Sequence, residues 1–522
     1  MTESMPMWGE VADDVPPGVQ AVRLSSLKIN LFASWLAHAV GLVVGFFLMP
    51  YVLKTLGDRS YGTWIFISSF AGYAGLMYLG FGATISRFVA TYHAQKDWER
   101  LRQIFTVTLT IYALMGLVVL AFAAALGAAA PWLHHWDVES ITQIRLVILI
   151  LGLNVACGMT GSVFGGVLHG IQRFDLERGM AVLSDVIRVV ATILLLTSDY
   201  GLVTLAAIFL GITLLENSAA IVLVFRFVPE LRVGRAWLKW GILRECLNFS
   251  AFALVGTVAS QLMYATDSIV IGCLLGPQAI VPYYIALRLT DFLRKPILQI
   301  GDVCMPKAGA LATAGRSGAP QRLIERSVLV ALVLSGGLFI GCWYFGDDLI
   351  RNWVGAKYAE SHVLLLILFG AQVVALPLGI LRSILFGMGK VRGPSLMFLG
   401  EAIANLVLSL ILIRYWGLTG VAIGTAIPIF LVELFVLLPY VVRTMKLDAW
   451  HLAKATVGPV VLPLMALGLY SAEVSRRVAT IDGWPALIAV AAGGGAVLVL
   501  AAGLEWLIHR RGRTPRPAVA GA

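Results

Sequence analysis

The chain has 522 residues, of which 59% are hydrophobic and only 13% charged. So few polar side chains cannot cover a soluble globule of this size, which excludes a soluble fold and makes this an integral membrane protein. The net charge of +10 is scattered over short loops, so it reports topology and contact with anionic membrane lipids and gives no reason to expect nucleic acid.

Residues 1–26 are polar, with paired prolines and acidic side chains. They lack the basic start and apolar middle of a signal peptide and read as a cytoplasmic tail. The sequence then predicts an all-α polytopic membrane protein. Fourteen apolar runs cover 30–52, 62–86, 104–127, 146–168, 180–197, 202–225, 248–276, 281–305, 327–346, 362–386, 395–413, 418–442, 457–473 and 484–508. Each approaches the ~20 residues a helix needs to satisfy its own backbone while crossing lipid. With the N-terminus cytoplasmic, Lys and Arg show about a threefold excess in the inner loops, the asymmetry expected of that orientation with both termini inside.

Landmarks recur at offsets of 216 to 219 residues. Leu56-Gly57 returns as Leu275-Gly276, Leu168–Arg173 resembles Leu385–Lys390, Tyr200-Gly201-Leu202 matches Trp416-Gly417-Leu418, and Glu216 matches Glu433. The expected organisation is therefore a tail (1–26), a six-span lobe (27–228), a second six-span lobe (229–446), two extra spans (447–508) and a cytoplasmic tail (509–522). Six is even, so both lobes enter from one side and the binding site is expected between them.

Span 7 carries Asp267 in the run QLMYATDSIVIGCLLG, with Ser260 and Tyr264 on the same edge. Span 8 carries Tyr284, Arg288, Asp291 and Lys295 at i, i+4, i+7 and i+11, one helical face, with Arg294 beside it. Antiparallel packing puts Asp267 and Arg288 at similar depth, as an ion pair that either holds the bundle or tunes a cation in a central cavity. Ionisable groups at that depth each cost roughly 2.5–3.5 kcal/mol, so they face the bundle interior. Asp291 neutralises only one of Arg294 and Lys295. The surplus cation either snorkels to the interface or serves an anionic headgroup, for which a diphosphate is the suitable chemistry. Asp185 and Arg188 in span 5 read as an intrahelical pair. Glu216 and Glu433 read as structural, with proton or cation binding as the alternative.

Gly158, Gly161, Gly165, Gly166 and Gly170 permit close helix contact, and Pro296, Pro377 and Pro428 permit bends. The five cysteines stand singly, and PWLHHWD at 131–137 reads as an interfacial aromatic belt, so no metal or cofactor is expected. A phosphate-loop motif is absent, and no outer loop exceeds roughly 18 residues, too few for a catalytic domain. An enzyme is not expected.

The stretch from Asn30 to Arg87, with PYVLKTLGDRSYGTW and LGFGATISRF, then LHGIQRFD, YATDSIVIGCLLG and VPYYIALRL, resembles the bacterial polysaccharide (Wzx-like) flippases of the multidrug/oligosaccharidyl-lipid/polysaccharide exporter superfamily. The similarity covers nearly the whole chain. It implies two lobes with spans 1, 2, 7 and 8 lining a cavity that opens alternately to each side of the inner membrane. The cargo implied is an undecaprenyl-diphosphate-linked oligosaccharide, with a polysaccharide polymerase and glycosyltransferases as partners. The family's cationic cavity maps onto Arg288, Arg294 and Lys295, with Arg87 as a further candidate, and Asp267 stands where many relatives carry an aspartate. Two alternatives within the superfamily are a peptidoglycan-precursor flippase and a multidrug–cation antiporter. Drug exporters often place a carboxylate in the first lobe's cavity, and spans 1 and 2 have none.

Overall fold

The computed structural model describes residues 24–511 apart from 79–80, 134–139, 197–200, 235–236, 238–240, 242–254, 314–318 and 479. Most of both tails, the start of span 7, Tyr200, Cys246 and the paired histidines at 134–135 lie outside the described residues. The helices are α1 (Leu24–Ala74), α2 (Phe81–Ala94), α3 (Trp98–Leu133), α4 (Ile141–Gly170), α5 (Phe174–Leu195) and α6 (Gly201–Phe227). They continue as α7 (255–264), α8 (Thr266–Leu274), α9 (Ile280–Thr313), α10 (Ala319–Trp353), α11 (Ser361–Gly387), α12 (Arg392–Val432) and α13 (Leu438–Met445), and end with α14 (Ala449–Thr456), α15 (Gly458–Arg477) and α16 (Trp484–Arg511). No strand occurs among the described residues.

Nine of the described helical stretches are long and apolar enough to cross a membrane. Two of them are each two helices joined at a kink, because α1 and α12 leave helical backbone at Gly57 (φ 73°) and Gly417 (φ 55°). Helix α9, which carries the charged stripe, is not among these nine, because its charged residues lower its apolarity. Spans 2 and 7 are interrupted where the sequence reads as continuous. Span 2 passes through a 3-10 turn at Gly75–Tyr78, and span 7 breaks at Ala265. The two interruptions lie side by side. Gln261 Nε2 donates to the Gly72 carbonyl at 2.9 Å, and the Tyr73 and Thr266 hydroxyls hydrogen-bond. A carbonyl freed by a helix break in lipid needs such a partner, and the neighbouring break supplies it.

The repeat has a backbone counterpart. Gly57 (φ 73°) and Gly276 (φ 94°) occupy the same left-handed region at matched positions, as do Gln172 (φ 60°) and Gly389 (φ 77°). That conformation costs a non-glycine residue about 1–2 kcal/mol, so its return at Gln172 marks a turn the fold requires. Helices α2, α3 and α4 bury Ile85, Phe105, Tyr112 and Val163 in one core; α9, α11 and α12 bury Ile285, Phe369, Ile384 and Val421 in another. The main contacts between α1–α6 and α7–α13 run through α1, against α8, α9 and the turn Pro277–Ala279. Helices α15 and α16 pack on α10, where Asn352 donates to the Ile481 carbonyl and accepts from Gly483 N, each at 2.7 Å.

Candidate functional site

A cavity of about 690 Å³ lies between α1, α5, α6 and α9. Gly41 and Gly45, one turn apart on α1, leave room along one wall: a Cβ on Gly41 would sit 3.5 Å from an Asp185 carboxylate oxygen. From α5 come Arg178, Asp185 and Arg188, and from α9 come Tyr284, Arg288, Phe292, Lys295 and Gln299. Four cations thus face one carboxylate, and Asp185 already pairs with Arg188 at 2.8 Å, as the sequence suggested.

The α9 stripe divides in two. At 3.6 residues per turn, positions 284, 288, 292, 295 and 299 keep to one narrow face, whereas 291 lies about 60° and 294 about 120° round the helix from 288. Arg288 and Lys295 accordingly point into the cavity. Neither has a carboxylate within ion-pair distance among the described residues. Arg288 donates from Nε to the Tyr284 hydroxyl at 2.7 Å, one turn back on its own helix. Its guanidinium carbon lies 4.8 Å from that ring's centroid. Arg294 turns towards α7. It donates to Asp291 at 2.8 Å and to the Tyr264 hydroxyl at 2.6 Å, and its guanidinium lies 4.2 Å from the Tyr264 ring centroid. The expected members of the site therefore form two groups, and Asp291, Arg294 and Tyr264 do not line this cavity. Arg87 is exposed on α2, also outside it.

Asp267 does not pair with Arg288. It is 2% exposed and accepts from Tyr283, from Thr425 at 2.8 Å and from Ser409 at 3.4 Å. Depth alone suggested the pair, but azimuth decides: Tyr283, one residue before Tyr284, is rotated about 100° from the cavity face, and that is the side of α9 that Asp267 meets. This carboxylate is held among α8, α9 and α12, inside the second half of the chain.

Arg178 is the lining cation that the sequence reading missed. The signal was present, since Arg178, Ala181, Asp185 and Arg188 recur at i, i+3, i+7 and i+10 and so share a face of α5. The Nε atoms of Arg178 and Arg188 are buried without a hydrogen-bond partner. Buried donors of that kind are costly, and an acceptor in the cavity would satisfy them.

One end of the cavity, beside Tyr61 and Tyr284, is closed. A Cβ on Gly62 would lie 2.1 Å from the Pro277 carbonyl oxygen, so the start of the second span in α1 packs directly on the α8–α9 turn. At the same end Asp58 accepts from Lys357 and Tyr358 in the α10–α11 connection. Between α1 and α9, Phe46 stacks on Trp353 at 4.9 Å and meets Phe292 edge-on at 5.6 Å, while Trp353 Nε1 donates to the Phe46 carbonyl at 2.7 Å.

A bundle of membrane-spanning helices around a basic internal cavity defines a polytopic transport protein. The profile of the polysaccharide biosynthesis protein family matches residues 27–306, more than half the chain, and the chain belongs to that family. A Shigella flexneri protein named as an O-antigen transporter is 20% identical over 77% of this chain and 94% of its own length. Among solved structures, the lipid II flippase MurJ in its inward closed conformation aligns with a TM-score of 0.71 at 14% identity, covering 93% of this chain and 99% of that one. An inward-facing multidrug resistance MATE family transporter aligns at 0.64 and 16% identity, covering 81% and 99%. These likenesses establish the fold, and with the family they make the chain a multi-pass membrane transporter of the polysaccharide flippase kind.

Proposed function

We propose that this protein moves an undecaprenyl-diphosphate-linked oligosaccharide from the inner to the outer leaflet of the bacterial plasma membrane, for surface polysaccharide synthesis. The observation that carries the reading is the cavity with four cations against one already paired carboxylate, in which Arg288 and Lys295 have no carboxylate partner among the described residues. A diphosphate accepts several charge-assisted hydrogen bonds at once, and guanidinium forks suit its oxygens. A volume of about 690 Å³ falls in the range of small-molecule sites, enough for the headgroup and first sugars with the lipid tail left in the bilayer.

In this reading the lobes are 27–228 and 229–446, with 447–508 appended, and both termini are cytoplasmic. The closed end near Gly62 and Asp58 is then the outer end, and the cavity alternates between sides as the lobes rock. A polymerase and glycosyltransferases would act on the cargo before and after translocation. The likeness to MurJ supports a second reading, a peptidoglycan-precursor flippase, whose cargo presents the same diphosphate. A drug–cation antiporter is disfavoured, since a basic cavity repels cationic drugs.

The test is export in cells: Arg288→Ala with Lys295→Ala, at normal membrane levels, abolishes surface polysaccharide. Normal polymer in the double variant overturns the cavity assignment. Growth rescue of a strain depleted of its peptidoglycan-precursor flippase would transfer the cargo to the second reading.

A further inference from the structure

Away from the cavity, α11, α12 and the π-helical turn Glu433–Leu437 meet around three charged side chains. Arg382 of α11 hydrogen-bonds Glu433, and its Nη2 also lies 3.7 Å from Glu401 Oε2 of α12. Both glutamates are 3% exposed, while the Arg382 side chain is 18% exposed and its guanidinium lies 4.9 Å from the Phe398 ring centroid. Arg382 is the one cation that acts on both carboxylates among the described residues.

Two ionised carboxylates around one guanidinium would leave an uncompensated negative charge inside the membrane. Charges enclosed in this way are costly, and two buried carboxylates sharing one site do not both ionise. The hydrogen-bond pattern points the same way. Oε2 of Glu401 and Oε2 of Glu433 are both buried with no hydrogen-bond partner, as is Arg382 Nε. Glu433 therefore gives Oε1 to the guanidinium and keeps Oε2 vacant, while the Glu401 Oε2 that faces the guanidinium at 3.7 Å makes no hydrogen bond to it. The π-helical turn that begins at Glu433 is a rare backbone form, found mostly at functional positions.

We propose that Glu401 and Glu433 share a single exchangeable proton, so that with Arg382 they form a proton-binding site. With one proton the cluster is neutral. Arg382 then pairs with whichever carboxylate is ionised, and transfer of the proton from one glutamate to the other moves the guanidinium between α12 and the π-helical turn. The site binds its proton whatever the cargo. That this proton is coupled to glycan movement rests on the proposed function above.

Infrared spectroscopy of the purified full-length protein reads the site directly. The wild type at neutral pH is expected to show a protonated-carboxyl C=O band that shifts in D₂O. Glu401→Gln and Glu433→Gln should each remove it, since the remaining carboxylate then ionises against Arg382. Arg382→Gln should about double it, because both carboxyls then hold protons. The glutamine variants are isosteric and leave the cluster neutral, so they decide the matter if the Arg382 variant does not fold. No band in the wild type, a band kept in both glutamine variants, or a band abolished by sodium at constant pH would each overturn the assignment. Coupling is read separately, as a flattened pH dependence of polysaccharide export in Glu401→Gln and Glu433→Gln cells. Unchanged pH dependence with the infrared result intact would overturn the coupling and leave the site.

Discussion

Helix α9 carries two arginines six residues apart that live under opposite regimes. Arg294 is enclosed by Asp291 and Tyr264, so its charge is spent on its surroundings. Arg288 hydrogen-bonds, among the described residues, only to the Tyr284 phenol, and it faces an open cavity with Lys295, Arg178 and Arg188. The difference teaches that a charge inside a membrane bundle announces a ligand site only when the protein has not itself supplied the counter-charge.

The largest effect expected is in the unpaired set. Losing Arg288 and Lys295 together removes charge-assisted hydrogen bonds of about 1.5–3 kcal/mol each, which abolishes export within the sensitivity of a surface-polymer assay. Arg178→Ala should lower export by about tenfold, one such bond, and so mark α5 as part of the site. On the paired side, Asp267→Ala strands the Tyr283 and Thr425 hydroxyls and should cost about 1–3 kcal/mol of stability, read as a lowered midpoint of thermal unfolding in detergent. An Asp267 variant of normal stability that still lost export would break the comparison, since it would give a partnered carboxylate a ligand role.

The smallest effects are expected at the bundle's ends. Lys357→Ala removes an ion pair whose lysine is 68% exposed, and should change stability by about 0.2–1 kcal/mol. Where α4 turns into α5, the Arg173 guanidinium binds Asp175 through two 3.0 Å bonds and holds its carboxyl below the usual carboxylate range. A carboxyl depressed in the folded state contributes stability above its unfolded value, near 4, and loses it as pH falls through the folded one. Because the pair is about one-third exposed, Asp175→Asn should remove that acid-side slope by well under about 1 kcal/mol, seen in unfolding midpoints measured down to acid pH.

The all-helical membrane fold and the part of the α9 stripe formed by Tyr284, Arg288 and Lys295 were legible because helical periodicity and apolar length are written locally. Matched left-handed turns at Gly57 and Gly276 show the repeat reaching the backbone. Asp267 was misassigned because sequence fixes depth along a helix far better than the direction a side chain takes around it. Arg178 was readable, one heptad before Asp185, had the stripe been followed back. In the cluster of Arg382, Glu401 and Glu433, the repeat had singled out Glu433 through its match with Glu216, but Arg382 and Glu401 had no local signal. Its members stand on three elements, and only packing brings them together.

The tether of Arg288 has a kinetic consequence. Among the described residues its side chain hydrogen-bonds only to Tyr284 on the same helix, so the guanidinium can swing to greet an incoming oxygen without prying any two of the described helices apart. Under the proposed function, taking up and releasing an anionic headgroup at this side chain then asks for a side-chain rotation alone, with no repacking of helices against one another.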